Sequence, residues 1–188
     1  MLDLSLAREA PISYLTPVSV AGAALGVAPP AARFILRGAD AIVPAGSAFG
    51  VPVPTAPRRA YVADARAALW LGPDEWLLIA PAAETQAIQT ELQAALGGVA
   101  HALVDVSHRQ TAFFVEGPGA ALLLNAGVPL DLSIAAFPVG AVARTIFDKA
   151  EIVLWRQAAE RFRVEVARSF APYLRALLDA ARDDNIAL

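Results

Sequence analysis

Between Ala67 and Leu96 the spacing of apolar residues changes from strand-like to helix-like. The runs ALWL and WLLI flank GPDE, where Pro73 presets the backbone of a turn, so the segment predicts a β-hairpin. From Pro81 onward Ile88, Leu92 and Leu96 recur at i, i+4, i+8, with Glu84, Gln89 and Gln93 turned away. This predicts a helix over 81–96, with Pro81 in its first turn and Gly97-Gly98 at its stop.

The second half repeats the succession. His101 to Val106 and Thr111 to Glu116 read as strands, and Gly117-Pro118-Gly119 opens a short helix, AALLLNA. Gly127 supplies the left-handed freedom expected of a helix stop, and a small second helix is expected from Ser133. ARTIF, DK and AEIVLWR form another hairpin. RFRVEVAR alternates Phe162, Val164 and Val166 with Arg163, Glu165 and Ala167, the pattern of a half-buried strand. A last helix is capped by Ser169, carries the stripe Phe170, Leu174, Leu177, Leu178, Ala181, and ends in the polar tail Asp183, Asp184, Asn185.

The first third is less regular. Residues 1–30 hold scattered Pro and Gly and read as an arm laid over the domain. Arg33 to Arg37 is a strand, and four prolines from Pro44 to Pro57 make the next stretch a surface excursion or an edge. The unit 67–97 echoes the unit 142–182. The expected architecture is α+β, with two pseudo-related lobes of antiparallel sheet and packed helices. These form one domain over 1–188, comprising the arm, a first lobe over about 31–98 and a second over about 99–188.

Composition narrows the chemistry. The chain has no cysteine, which excludes disulfides, thiolate metal sites, Fe–S clusters and cysteine nucleophiles. A net charge of -3 provides no basic field for nucleic acid. Hydrophobic residues make up 57% of the chain, inflated by alanine. The longest suspect run, Val18 to Pro30, falls short of the about 20 apolar residues a membrane span needs. The start, MLDLSLAREAPISYL, lacks the basic and apolar regions of a signal peptide, so a soluble cytoplasmic protein without membrane contact is expected. Lys149 is the single lysine; the arginine bias suits interfacial ion pairs and equally follows from a GC-rich genome.

Candidate reactive groups are few. Asp105, Ser107 and His108 evoke a triad, but strand alternation turns His108 away from the other two, and Asp-x-Ser serves turn amides. His101 and His108 are the only imidazoles and cannot complete a zinc set. Gly117 to Leu122 has leucine where the dinucleotide fingerprint needs glycine, and initiates a helix instead. Trp70 and Trp76 flank one turn, where core packing and ligand stacking are both open. Arg109, Arg144, Arg156 and Arg168 lie beside or within apolar strands and need carboxylate or carbonyl partners, for which Asp105, Asp131 and Asp148 are candidates.

The blocks GPDEWLL, VDVSHRQT, GPGAALLLNAGVPLDL, FPVG with ART, and RSFAPYL, in this order over about 67–182, resemble the gamma subunit of heterotetrameric sarcosine oxidase, a relative of the folate-binding aminomethyltransferases. The resemblance implies their two-lobed folate-binding-domain fold. It implies a noncatalytic, cofactor-free subunit of a cytoplasmic complex that demethylates sarcosine to glycine with hydrogen peroxide, the one-carbon unit passing to tetrahydrofolate or leaving as formaldehyde. FAD, FMN, NAD, tetrahydrofolate and zinc would sit in the alpha, beta and delta subunits. Asp105, His108, Arg109, Arg144 and Arg168 are then interface or structural polar residues, and the isolated chain could pair with itself. The chain lacks the relatives' Gly-Gly-x-x-Asp-Asp block and their longer C-terminal portion, which counts against folate chemistry of its own. The alternative is a stand-alone folate-binding or aminomethyltransferase-like protein, with Asp105, Arg144 or Trp76 contributing contacts between the lobes.

Overall fold

The computed structural model describes residues 22–184. In chain order these form β1 (Ala24–Val27), β2 (Ala31–Arg37), α1 (Ile42–Phe49), β3 (Ala60–Ala63), β4 (Arg66–Gly72), β5 (Glu75–Pro81), α2 (Thr85–Leu96), β6 (Ala102–Asp105), β7 (Gln110–Glu116), α3 (Ala120–Asn125), β8 (Val142–Phe147), β9 (Ala150–Ala158), β10 (Arg161–Ala167) and α4 (Ala171–Asp184). Two five-stranded antiparallel sheets result, sheet I in the order β3-β4-β5-β2-β6 and sheet II in the order β8-β9-β10-β7-β1.

Strand alternation sets the layers. On sheet I, Phe34, Leu36, Trp76 and Leu78 point outward and are covered by α1 and α2 through Phe49, Ile88, Leu92 and Leu96. On sheet II, Phe113, Val115, Leu154, Phe162 and Val164 meet α3 and α4 through Leu123, Leu124, Leu174 and Leu178. The opposite faces of the sheets pack on each other, with Leu69, Leu77 and Ile79 against Val142, Val153 and Trp155. The order helix, sheet, sheet, helix buries the strands on both sides, which explains their near-continuous apolar runs.

The halves are built alike. In each, a strand (β2 or β7) leads through a helix to three hairpin-linked strands and a second helix, and the strand orders correspond position by position. Gly38 and Gly117 follow β2 and β7 with φ of 117° and 106°, conformations that require glycine. Asp64 and Asp148 both take φ 52° in the β3–β4 and β8–β9 turns. Single 3₁₀ turns, Ala82–Glu84 and Arg168–Phe170, precede α2 and α4. The echo between 67–97 and 142–182 is therefore part of a larger repeat.

Several expectations need correction. Ala24–Val27, expected within a loose arm, is a strand that pairs with β7, while residues 1–21 of that arm and Asn185 of the polar tail lie outside the described residues. Strand β6, beyond the division expected near residue 98, hydrogen-bonds to β2 and belongs to sheet I. The Pro-rich stretch opens with α1, because Pro44 falls in the first turn, where its missing N–H has no partner to lose; Ala45 and Phe49 are fully buried. From Ser133 there is one turn closed by the Phe137 N–H donating to the Ser133 carbonyl at 2.9 Å.

Gly127 does not have a left-handed backbone. It is glycine for space, since a Cβ there would stand 2.6 Å from the Phe147 ring. Ser169 lies inside the 3₁₀ turn rather than capping α4, and Phe170 is 45% exposed, off the buried stripe. Strand β10 is buried on both faces, including Arg163 and Glu165, because sheet I covers the side expected to meet water.

Candidate functional site

The residues singled out from sequence occupy separate places. Asp105 ends β6, and its Oδ1 accepts the Ser107 N–H at 2.8 Å and the Ser107 hydroxyl at 2.5 Å. Ser107 Oγ in turn accepts the Arg33 N–H at 2.9 Å, so Asp-x-Ser ties the β6–β7 turn to β2, as expected of a turn-satisfying pair. His108 and Arg109 stand exposed on that turn, and the Ser107 hydroxyl donates to Asp105 rather than to His108. The Arg109 carbonyl accepts the Arg168 N–H at 2.9 Å, joining the turn to the end of β10. Arg144 reaches across the lobes to Glu75 at 3.3 Å and along its own hairpin to Glu151 at 2.9 Å, and the Glu151 bond holds its guanidinium above the ordinary arginine value.

The proposed aspartate partners are engaged elsewhere. Asp131 accepts the Ser133 N–H at 2.8 Å, which lowers its carboxyl below the ordinary value, and Asp148 accepts the Tyr173 hydroxyl. Arg156 is satisfied by carbonyls, donating to Phe137 at 2.6 Å, Leu132 at 3.1 Å and Ala159 at 3.2 Å, while its guanidinium lies 4.5 Å from the Phe162 ring centre. Burial lowers its pKa from the ordinary value. Trp76 is fully buried, and its indole N–H donates to the Pro54 carbonyl at 2.7 Å, so it anchors the Pro-rich segment onto sheet I.

Between the sheets lies a charged cluster that alternation alone concealed. Glu165 accepts Arg33 Nε at 2.6 Å from sheet I and Arg163 Nε at 2.7 Å from its own strand, with all three side chains at most 9% exposed. Two guanidiniums share one carboxylate, leaving one positive charge in excess. Arg163 Nη2 is buried and has no hydrogen-bond partner among the described residues. The pairing of Arg33 with Glu165 across 132 positions of sequence has no local signal. The available hint was two opposite charges, Arg163 and Glu165, two apart on an otherwise apolar strand.

Beyond this cluster the inner face of sheet II carries Phe114, opposite Arg163 in the ladder, with Gly26 on its other side. The Phe114 ring centre lies 4.4 Å from the Arg161 guanidinium and 5.6 Å from that of Arg163. Among the described residues no heavy atom lies within 4 Å of the position a Cβ on Gly26 would take. Val104, on the inner face of edge strand β6, is 52% exposed. The sheets are thus closely packed at β4, β5, β8 and β9 and leave accessible surface toward β6 and β1.

Among the described residues no three His, Asp or Glu side chains gather where they could hold a metal. No described helix is long and apolar enough to cross a membrane. An open depression of 360 Å³ lies between α4 and the β8–β9 turn, floored by Gly127 and Phe147 and rimmed by Asp148, which Tyr173 already engages.

Residues 38–184 match the family described as "Sarcosine oxidase, gamma subunit family". The chain belongs to the sarcosine oxidase gamma subunit family. It is 38% identical over 105 residues to a sarcosine oxidase subunit gamma of Arthrobacter sp, covering 56% of this chain and 51% of that protein. It is 35% identical over 122 residues to one from Corynebacterium sp. strain U-96, covering 64% and 58% respectively. This gamma-family chain thus spans about half the length of these curated relatives. A solved chain of the heterotetrameric sarcosine oxidase from Corynebacterium sp. U-96, in complex with pyrrole 2-carboxylate, superposes over 98% of this chain and 94% of its own with a TM-score of 0.83 at 29% identity. The glycine cleavage system aminomethyltransferase T of Bartonella henselae shares the fold, with a TM-score of 0.66 over 85% of this chain and 46% of its own at 18% identity.

Proposed function

We propose that this chain is a noncatalytic gamma subunit that helps assemble and stabilise a sarcosine oxidase, with alpha, beta and delta subunits as its partners. The observation carrying the reading is the superposition on a chain of a heterotetrameric enzyme over nearly its whole length. In this reading FAD, FMN, NAD, tetrahydrofolate and zinc reside in the other subunits, and the complex oxidises the N-methyl group of sarcosine in the cytoplasm. The site geometry is consistent with a scaffold, because Asp105 is tied to a turn serine, Arg144 to two glutamates and Asp148 to a tyrosine. His108, Arg109, Arg144 and Arg168 then serve as interface residues or brace the fold.

The stand-alone folate-binding reading draws no comparable support. Trp76 lies beneath the helices on the outer face of sheet I, Asp105 ends an edge strand, and Arg144 bridges the lobes at β8, so the three do not line one pocket. Purification of the tagged chain from its native host, grown on sarcosine, tests the proposal through visible flavin absorption and the masses of co-eluting chains. A yellow complex with three other subunits is expected. A colourless, partner-free chain from cells that contain active oxidase would overturn it.

A further inference from the structure

We propose that the surface formed by Arg161, Phe114 and Arg163, where the two sheets part beside β1, receives a carboxylate side chain of a partner subunit; this rests on the assembly role proposed above. The argument begins with charge. Glu165 neutralises one of the two guanidiniums it touches, and Arg33 already holds one of its oxygens at 2.6 Å. The cluster therefore carries one positive charge in excess, and Arg163, at 7% exposure, has its Nη2 without a hydrogen-bond partner among the described residues. A buried charge without a counter-charge is costly, and a second carboxylate removes that cost.

Geometry indicates where the carboxylate enters. Arg161 and Arg163 are two apart on β10 and project to one face, with their guanidiniums 4.4 and 5.6 Å from the Phe114 ring centre. Across the ladder Gly26 leaves the space beside Phe114 unfilled by described residues, and on the edge strand β6 of sheet I the inner-facing Val104 is exposed. Arg161 is held by Glu116 at 3.1 Å with both side chains over 40% exposed, an ion pair that water weakens and an incoming acid can replace. Forked guanidiniums favour a planar, two-oxygen acceptor, and the Phe114 ring excludes water from one side of it. The surface thus combines a partly desolvated cation, an exchangeable cation, an aromatic ring and space that no described residue fills. An Asp or Glu of a neighbouring chain satisfies all four.

The test compares the co-expressed complex containing wild-type chain with complexes containing Arg161→Gln or Arg163→Gln, measuring subunit dissociation constants and the thermal stability of each isolated chain. Both variants are expected to weaken assembly, Arg163→Gln by about 30-fold or more, the usual consequence of truncating one partner of a buried charge pair. The isolated Arg163→Gln chain is expected to keep its melting temperature, because Arg33 and Glu165 remain a balanced pair. Wild-type affinity in both variants would overturn the proposal while leaving the assembly role intact. So would an isolated Arg163→Gln chain that unfolds while Arg161→Gln assembles normally, since Arg163 would then only brace the fold. A wild-type chain that finds no partner subunits would overturn the assembly role and this surface together.

Discussion

Replacing Glu165 with alanine is the severest small change the structure suggests. The substitution removes the one carboxylate shared by Arg33 and Arg163 and leaves both guanidiniums between two sheets, where among the described residues neither pairs with another acid. Removing one partner of a buried pair costs about 3–5 kcal/mol, against total domain stabilities of about 5–15 kcal/mol. For a chain of this size each kcal/mol shifts the melting temperature by about 2–4 °C, so a fall of about 6–20 °C is expected. Replacing all three, with Arg33→Met, Arg163→Met and Glu165→Leu together, should cost much less than Glu165→Ala, since an apolar set leaves no stranded charge. Urea unfolding and thermal circular dichroism of the isolated chains measure both. A Glu165→Ala variant within about 1 kcal/mol of the parent would refute the reasoning, because it would mean the cluster is already solvated.

Other positions give independent checks. Gly127→Ala places a Cβ against the Phe147 ring and should cost about 1–3 kcal/mol in urea unfolding, which Phe147→Leu should partly restore. Trp76→Phe removes the indole donor from the Pro54 carbonyl and should destabilise by about 2 kcal/mol, with earlier proteolytic cleavage around residues 50–57. Tyr173 bonds Asp148, which raises its phenol above the ordinary tyrosine value. Its contribution to stability is present below about pH 10 and is lost as pH rises through the folded-state value, so the parent should lose more stability than Tyr173→Phe on alkaline titration. Phenolate absorbance with and without Tyr173→Phe locates that transition.

The hairpin at 67–79, helix α2 and the β8–β9 hairpin were legible because their periods are local and tertiary packing agrees with them. Helix α1 was obscured by the rule that prolines break regular structure, which fails in a first helical turn. The polar alternation of β10 suggested water on one side. Instead sheet I covers it, and Glu165 pairs with an arginine from a distant strand that no spacing rule connects to it. Asp105 with Ser107 was readable because Asx turns are local; the partners of Arg144 and Arg156 were not, because they lie across a hairpin, across the lobes or on loop carbonyls. Strand β1 was missed because four residues are too short a run to show a sustained period, and its existence depends on the edge that β7 offers.

That strand also gives the molecule an unusual order of completion. Sheet I holds all its strands between residues 31 and 105, so a nascent chain can close it as soon as β6 has emerged from the ribosome. Sheet II takes its edge from residues 24–27, ahead of all of sheet I in sequence and in the place corresponding to β6, and Val27 has no ladder partner until Phe113 has been synthesised. The first of the described strands is therefore among the last to dock, and it waits while a finished half folds behind it. During that interval β1 is an unpaired apolar segment and β7 has yet to acquire its outer neighbour, which is when either could be captured by a chaperone or by another chain.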